Sequence, residues 1–461
     1  MRKNHFFISA SLIVLLLIIL LPTPAGLTVE GKKSLAVFAM AFILWATNAL
    51  PLSITGILVI SLIPLLGIMK HSLTFALFGN QAIFFILGAF IIATGIMKSG
   101  LSKRMALLML AHFDRGPRRL IFGILLTSAL MTLIMPSHAV AALMFPLIAT
   151  ITDALRLKPM ESDFGAAIFL AMAYGSAIGS IGTLLGGART PLAIAILEEN
   201  SNVTVSFFEW TRAVIPLVFI LLIAAIFVIT RYFKMDAPHI HRAKEKLKEE
   251  IAEIGEVTPL EKKMTIILIV TLFLWIFFGQ RLGIAVISLL ASVSLFIMQC
   301  VQWEDVHNYV NWGVILMYGG AIVIAKTVEQ TGAAAWLVET IVLRGTQLSP
   351  FVVLVFFAVL AKIITEAISN VACVAILLPV ALSICKVYTI NPVIMLYFVT
   401  VNAGLAFVLP MGTPGNAIAY SAGYYEVPTI VKPGLLINLL SLVFFILMTM
   451  IYWPFIGLVF L

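Results

Sequence analysis

Pro136-Ser137-His138, followed by apolar sequence to Pro146, and Ser369-Asn370-Val371, followed by apolar sequence to Pro379, interrupt the chain's two halves at matching points. A Gly/Pro break inside another apolar segment follows each one. It is Gly186-Gly187-Ala188-Arg189-Thr190-Pro191 in the first half and Gly412-Thr413-Pro414-Gly415-Asn416 in the second. A membrane span has little use for such breaks unless they bind something, because they free backbone groups that lipid cannot satisfy. Paired interruptions in corresponding positions of two halves point to the central site of a transporter.

The sequence around these interruptions is membrane-spanning in character. Of 461 residues, 62% are hydrophobic and 11% charged, whereas soluble domains are about one quarter charged. Mean hydropathy is +1.13. Many apolar runs reach the ~18–20 residues a helix needs to cross a bilayer. A β-barrel would show short alternating segments instead. The fold class predicted is all-α and polytopic, with helices near 5–22, 34–50, 52–69, 82–98, 213–231, 264–279, 283–300, 312–330 and 433–460. Segments 120–150 and 350–385 are too long for one span and carry their polar tips near the middle, as re-entrant hairpins would. Segments 164–197 and 392–422 read as broken helices. Together these make about eleven transmembrane helices. The organisation is an N-terminal helix and loop (1–33), a first repeat (34–231), a linker (232–263) and a second repeat (264–461). Met1-Arg2-Lys3 and the long apolar run to Leu21 read as a first transmembrane helix rather than a signal peptide.

Charge orients the chain. Lys98, Lys103, Arg104, Arg115, Arg118 and Arg119 precede the first hairpin. Arg231, Lys234, Arg242, Lys244, Lys246, Lys248, Lys262 and Lys263 lie between the halves. Both clusters belong on the cytoplasmic side, so the formal charge of +8 speaks for topology and not for nucleic acid. The connection 198–211 carries Glu198, Glu199 and Glu209 with no Lys or Arg, which suits the outside. The N-terminus of this cell-membrane protein is then cytoplasmic and the C-terminus outside. The hairpins enter from opposite faces, which makes the halves an inverted repeat. Residues 241–256 place Leu247, Ile251 and Ile254 on one face of a charged helix, read as lying at the cytoplasmic interface. The three cysteines, Cys300, Cys373 and Cys385, form no metal-type spacing.

At the interruptions the chain resembles the divalent anion/sodium symporter family, the dicarboxylate, citrate and sulfate carriers. Thr365-Glu366-Ala367-Ile368-Ser369-Asn370-Val371-Ala372 is similar to that family's Thr-Glu-x-x-Ser-Asn-Thr-Ala hairpin tip. Pro410-Met411-Gly412-Thr413-Pro414-Gly415-Asn416-Ala417-Ile418 is similar to its broken-helix motif, which usually reads Thr-Pro-Pro-Asn. The first half departs from the pattern. Pro136-Ser137-His138 stands where the family has Ser-Asn-Thr, and Ala188-Arg189-Thr190 where it has Pro-Pro-Asn. The family binds sodium at each tip-and-break pair, with substrate between the tips. The resemblance therefore implies a sodium-coupled carrier of a small, divalent anion, a dimerising scaffold and a transport domain that moves like an elevator. It leaves the second sodium site largely intact and puts the first, near Ser137 and Gly186, in question.

The residue types suit that chemistry. Helix N-termini at tips and breaks favour anions, and carbonyls freed at breaks are hard ligands for sodium. Candidates for the anion are Ser369, Asn370 and Thr413 in the second half, with Ser137, His138, Arg189 and Thr190 in the first. Candidates for sodium, the one cofactor expected, are the Asn370 amide oxygen, the Thr365 hydroxyl or carbonyl, and carbonyls near Gly412 and Pro414. The bland reading of these Ser and Thr hydroxyls is back-bonding to the preceding helical turn. Arg189 is the most unusual residue, since a mid-membrane charge costs about 2.5–3.5 kcal/mol on insertion scales. It either replaces the first sodium as a tethered cation, grips the anion through its fork, or pairs with carbonyls of the break. His138 donates to substrate, titrates to couple protons, or closes the hairpin. Glu366 reads as an acid ordering the second tip, with Lys362 at i−4 as a local partner.

An exchanger that uses Arg189 instead of sodium is the alternative within the same class. An intramembrane enzyme would need a nucleophile, base or metal constellation that the scattered histidines do not form. A channel would need a continuous polar path. The partners expected are a small anion, membrane lipid and a second copy of the chain. Loss of two hydroxyls to Val371 and Pro136, with the charge of Arg189, points to a compact anion such as sulfate, a sulfonate or a short dicarboxylate.

Overall fold

The computed structural model describes residues 2–113, 116–236, 240–341 and 348–459. Arg115 of the first basic cluster lies outside them. Among the described residues every regular element is helical, and eight helices are long and apolar enough to cross a membrane.

Both long broken segments divide at their polar tips. The first becomes Pro117–Met131 and Ser137–Ala154, the second Pro350–Ala367 and Asn370–Tyr388. The two further breaks separate Asp163–Gly179 from Arg189–Ser201, and Pro392–Ala403 from Pro414–Ser421. The local causes are legible in the sequence. Pro117, Pro350, Pro392 and Pro414 stand in the first helical turn, where the missing N–H costs nothing. Ser369 and Thr413 cap the helices that follow them, their hydroxyls accepting from Ala372 N and Asn416 N. Short helices at His71–Ala76, Leu101–Ala111, Trp303–Tyr309 and Ala333–Ile341 are not foreseen, because none spans enough residues to show an apolar run of membrane length.

The halves interlock. Helix Leu52–Leu65 packs on Trp312–Gln330, and Gln81–Lys98 packs on Ile284–Ile297. The first pair crosses so closely that a Cβ on Gly320 would meet the backbone of Gly56, the small-residue contact by which membrane helices approach. The tip-and-break helices form a second body. Asp163–Gly179 lies against Pro414–Ser421, and Arg189–Ser201 against both Asn370–Tyr388 and Pro392–Ala403. Tyr174 donates to Phe407 O at 3.2 Å across this contact. Each body therefore takes one part from each half of the chain.

The linker is tied to the protein. On helix Ile240–Ile254, Leu247 is buried, and Ile251 and Ile254 are half-buried. The helix packs on Leu101–Ala111 and Ser137–Ala154. Lys103 pairs with Glu250 at 3.0 Å. Arg104 grips Glu261 through two nitrogens, at 2.6 and 3.0 Å, and donates to Gly255 O and Glu256 O.

Candidate functional site

The second tip and the second break meet. Helix Pro392–Ala403 ends at the break, and Thr365 donates its hydroxyl to Ala403 O at 2.6 Å. The Asn370 amide lies 2.8 Å from that same hydroxyl, 2.8 Å from Gly412 O and 3.2 Å from Ala403 O. With its oxygen inward, Asn370 faces acceptors. With its nitrogen inward, two N–H groups meet three acceptors. Turned oxygen inward, Asn370 would join a hydroxyl and two carbonyls as hard oxygen ligands of the kind a sodium ion takes at a helix break. Of the sodium candidates, Thr365, Asn370 and Gly412 are brought together here, joined by Ala403. Pro414 opens the next helix.

The unwound stretch after Ala403 is held from outside. Glu366 accepts from the N–H groups of Phe407, Val408 and Leu409 at 2.8–3.2 Å. Asn416 donates to Ala406 O and Leu409 O, and its own amide oxygen is buried without a partner. Glu366 therefore orders the second break, where the sequence led us to expect an acid ordering the second tip. The expected local pair with Lys362 is not direct, because Asn438 stands between them.

The first tip and break also meet, by different means. Ser137 N donates to Gly186 O at 3.0 Å, and Thr183 to Leu133 O at 2.8 Å. Arg189 opens helix Arg189–Ser201 and is 2% exposed. It donates through one terminal nitrogen to Ser180 Oγ at 3.1 Å, while its Nε has no partner. The guanidinium rests against Gly187 of its own break and Gly404 of the other, where an added Cβ would strike it. Thr190 is fully buried with its hydroxyl unpaired. His138 sets its ring edge-on to Phe90, with centroids 6.1 Å apart. It lines a cavity of about 230 Å³ together with Thr94, Pro136, Asn308 and Tyr309. Ser369 and Asn370 are half-buried, Thr413 buried.

Sequence reasoning passed over Ala403, Ser180, Gly404, Asn402 and Asn438. Asn402 is fully buried, with its amide oxygen unpaired. The asparagines were findable, since an amide inside an apolar run is costly unless it has a job. A carbonyl ligand such as Ala403 leaves no mark in residue identity.

Eight membrane-length apolar helices and two matched pairs of tip and break make this a polytopic membrane protein of transporter build. The chain belongs to the sodium:sulfate symporter transmembrane region family, whose model matches residues 2–459. A sodium-dependent dicarboxylate transporter of Staphylococcus saprophyticus is 27% identical over 473 residues, covering 96% of this chain and 90% of the relative. One from Staphylococcus aureus strain USA300 is 26% identical at the same coverage. Among solved structures, the Neisseria gonorrhoeae MtrF structure matches with TM-score 0.56 at 16% identity, over 98% of this chain and 94% of that one. The Alcanivorax borkumensis YdaH transporter matches with TM-score 0.54 at 16% identity, over 82% and 86%. These two speak for the fold alone. The family consists of transporters, so the chain is a membrane transporter and not an intramembrane enzyme.

Proposed function

We propose that the chain is a secondary transporter that carries a small, divalent anion, a short dicarboxylate or a sulfate-like ion, driven by sodium through the second half-site. The observation that carries this is the gathering of the Thr365 hydroxyl and the Ala403 and Gly412 carbonyls around the Asn370 amide. The sodium-dependent relatives support it. Sodium would be held by those four groups. The anion would be held between the tips, by Ser369, Asn370 and Thr413 at capped helix N-termini and by Ser137, His138, Arg189 and Thr190 opposite. The body bearing tips and breaks would move like an elevator against the scaffold pairs in a homodimer, with the N-terminus cytoplasmic and the C-terminus outside. The decisive experiment is uptake of labelled succinate and sulfate into proteoliposomes with an inward sodium or potassium gradient. Saturable uptake that needs sodium and is lost in Asn370→Ala is the expected result. Equal uptake in potassium would defeat the sodium part.

The packing of Arg189 on Gly187 and Gly404 favours one second reading, sodium-independent exchange with Arg189 as a tethered cation. Counterflow without a sodium gradient, and without net uptake, would decide for it. Coupling to protons through His138 has weaker support, and an unchanged pH profile in His138→Gln would remove it.

A further inference from the structure

Beside the second half-site lie two charges that sodium chemistry leaves unused, a buried lysine and a half-buried glutamate. Lys362 and Glu366 are one turn apart on Pro350–Ala367, and Asn438 of helix Val427–Ile451 joins them. Lys362 Nζ donates to Asn438 Oδ1 at 3.2 Å, and Asn438 Nδ2 donates to a Glu366 oxygen at 2.6 Å. The ammonium also donates to Leu405 O at 3.2 Å and sits 5.9 Å from the centre of the Phe407 ring. Only 7% of Lys362 is exposed. An amide accepts through oxygen and donates through nitrogen, so the cation on one side and the carboxylate on the other orient Asn438. With both groups ionised the unit carries no net charge, and it clamps the stretch between Ala403 and Gly412, the two carbonyls of the oxygen cluster.

The position of Glu366 makes this neutrality matter. An added Cβ on Gly412 would lie 3.4 Å from a Glu366 oxygen and 3.3 Å from Thr365 O. The carboxylate is therefore the formal negative charge on the sodium cluster's doorstep, and the cluster's own ligands are all neutral. A charge this near acts on a bound cation even with the partial screening of a half-buried group. Were Glu366 unbalanced, it would neutralise a bound cation by itself.

We propose that Lys362 is the residue that makes sodium and anion binding depend on each other. By cancelling Glu366 through Asn438, it leaves the charge of bound sodium to be balanced by the anion. This rests on the reading of Thr365, Asn370, Ala403 and Gly412 as the sodium site. A carrier without Lys362 would take sodium against a carboxylate still held by N–H groups but with no cation to balance its charge, and lose the need for substrate.

The test is thermal stabilisation of the purified full-length protein, titrated with sodium against a potassium background, alone and with succinate or sulfate. In the wild type one of these anions should lower the half-saturating sodium concentration about tenfold, a common size of coupling between sites. Lys362→Gln should bind sodium more tightly without anion and shrink the anion effect to about twofold or less. Lys362→Arg should keep the wild-type factor, and the neutral double variant Lys362→Gln/Glu366→Gln should regain it. A purely structural lysine would lower the melting temperature and leave the anion factor alone, which would overturn the proposal. If Lys362→Gln does not fold, Glu366→Gln serves as the mirror. It should weaken sodium alone and enlarge the anion factor, and an unchanged factor overturns the proposal there. Loss of sodium stabilisation in Thr365→Val with an intact factor in Lys362→Gln rejects this inference and keeps the sodium site. No sodium stabilisation of the wild type under any condition rejects both.

Discussion

Asn370 shows how one side chain decides between two chemistries. Its amide lies 2.8–3.2 Å from three oxygens: turned nitrogen inward it donates to them, and turned oxygen inward it would join them as a further ligand for the proposed cation. Thr365 has a similar double part, because its single proton already goes to Ala403 O. Thr365→Val should leave that carbonyl unpaired, costing about 1–3 kcal/mol of stability, and should abolish stabilisation by sodium. Thr365→Ser should restore both, and a melting curve with and without sodium reads the difference. Arg189 is the opposite case, a cation with several N–H groups and one side-chain partner. Arg189→Gln should weaken anion binding about tenfold or more, since hydrogen bonds to a charged group contribute about 1.5–3 kcal/mol. Unchanged anion affinity with unchanged sodium stoichiometry would refute a role for it in the site. The packing of its guanidinium on the second break gives an independent check. Gly404→Ala should destabilise by about 1–3 kcal/mol, as overpacking does. That penalty should shrink in the Arg189→Gln background, measured as a double-mutant cycle.

At the scale of elements, the breaks work because helices end there. Pro392–Ala403 points its C-terminal carbonyls at the junction, where Thr365, Lys362 and Arg189 gather around residues 403–405. The negative end of a helix dipole favours positive charge, so cation and break belong together. Ser369 and Thr413 mark the converse ends, helix N-termini whose positive dipole would favour the anion proposed there. Away from the site, short helices are tied by ions. Asp305 accepts from Lys98 at 2.5 Å and from Gln302 N, and the lysine holds its carboxyl below the ordinary range. A carboxylate lowered on folding contributes stability above its unfolded pKa of about 3.9, lost as pH falls through the folded value. Unfolding followed below about pH 4 should therefore show an acid-sensitive component that Lys98→Ala removes.

At the scale of the molecule, two bodies face each other, and each contains parts of both halves of the chain. Their polar contacts at one end are specific. Asn80 donates to Glu199 at 3.0 Å, Gln81 to Glu198 at 2.8 and 2.9 Å, and Lys326 to the Glu199 carbonyl. The elevator movement proposed above would break these contacts on each cycle. Asn80→Cys/Glu199→Cys, bridged by a bifunctional thiol reagent, should stop transport, and reduction of a cleavable reagent should restore it. The native Cys300, Cys373 and Cys385 are buried and should not compete. Full uptake in the bridged protein would rule out relative movement of the bodies at this point.

The sequence by itself determined the helical membrane class, the division of 120–150 and 350–385 at their tips and the two later breaks. Apolar length, proline and cap chemistry act within a few residues, so they are written locally. It also singled out Asn370 and Arg189, because polar groups in apolar runs stand out, and Thr365 through the motif it shares with the family the chain resembles. What only the tertiary structure decided are the meetings between distant segments. These include Ala403 O beside Asn370, Asn438 between Lys362 and Glu366, and Arg189 against Gly404. A backbone carbonyl has no residue signature, and a buried charge takes its partner from whichever helix folding brings beside it. The broken pattern of the first half was visible in its residues. That its guanidinium reaches into the second half's break was decided by packing.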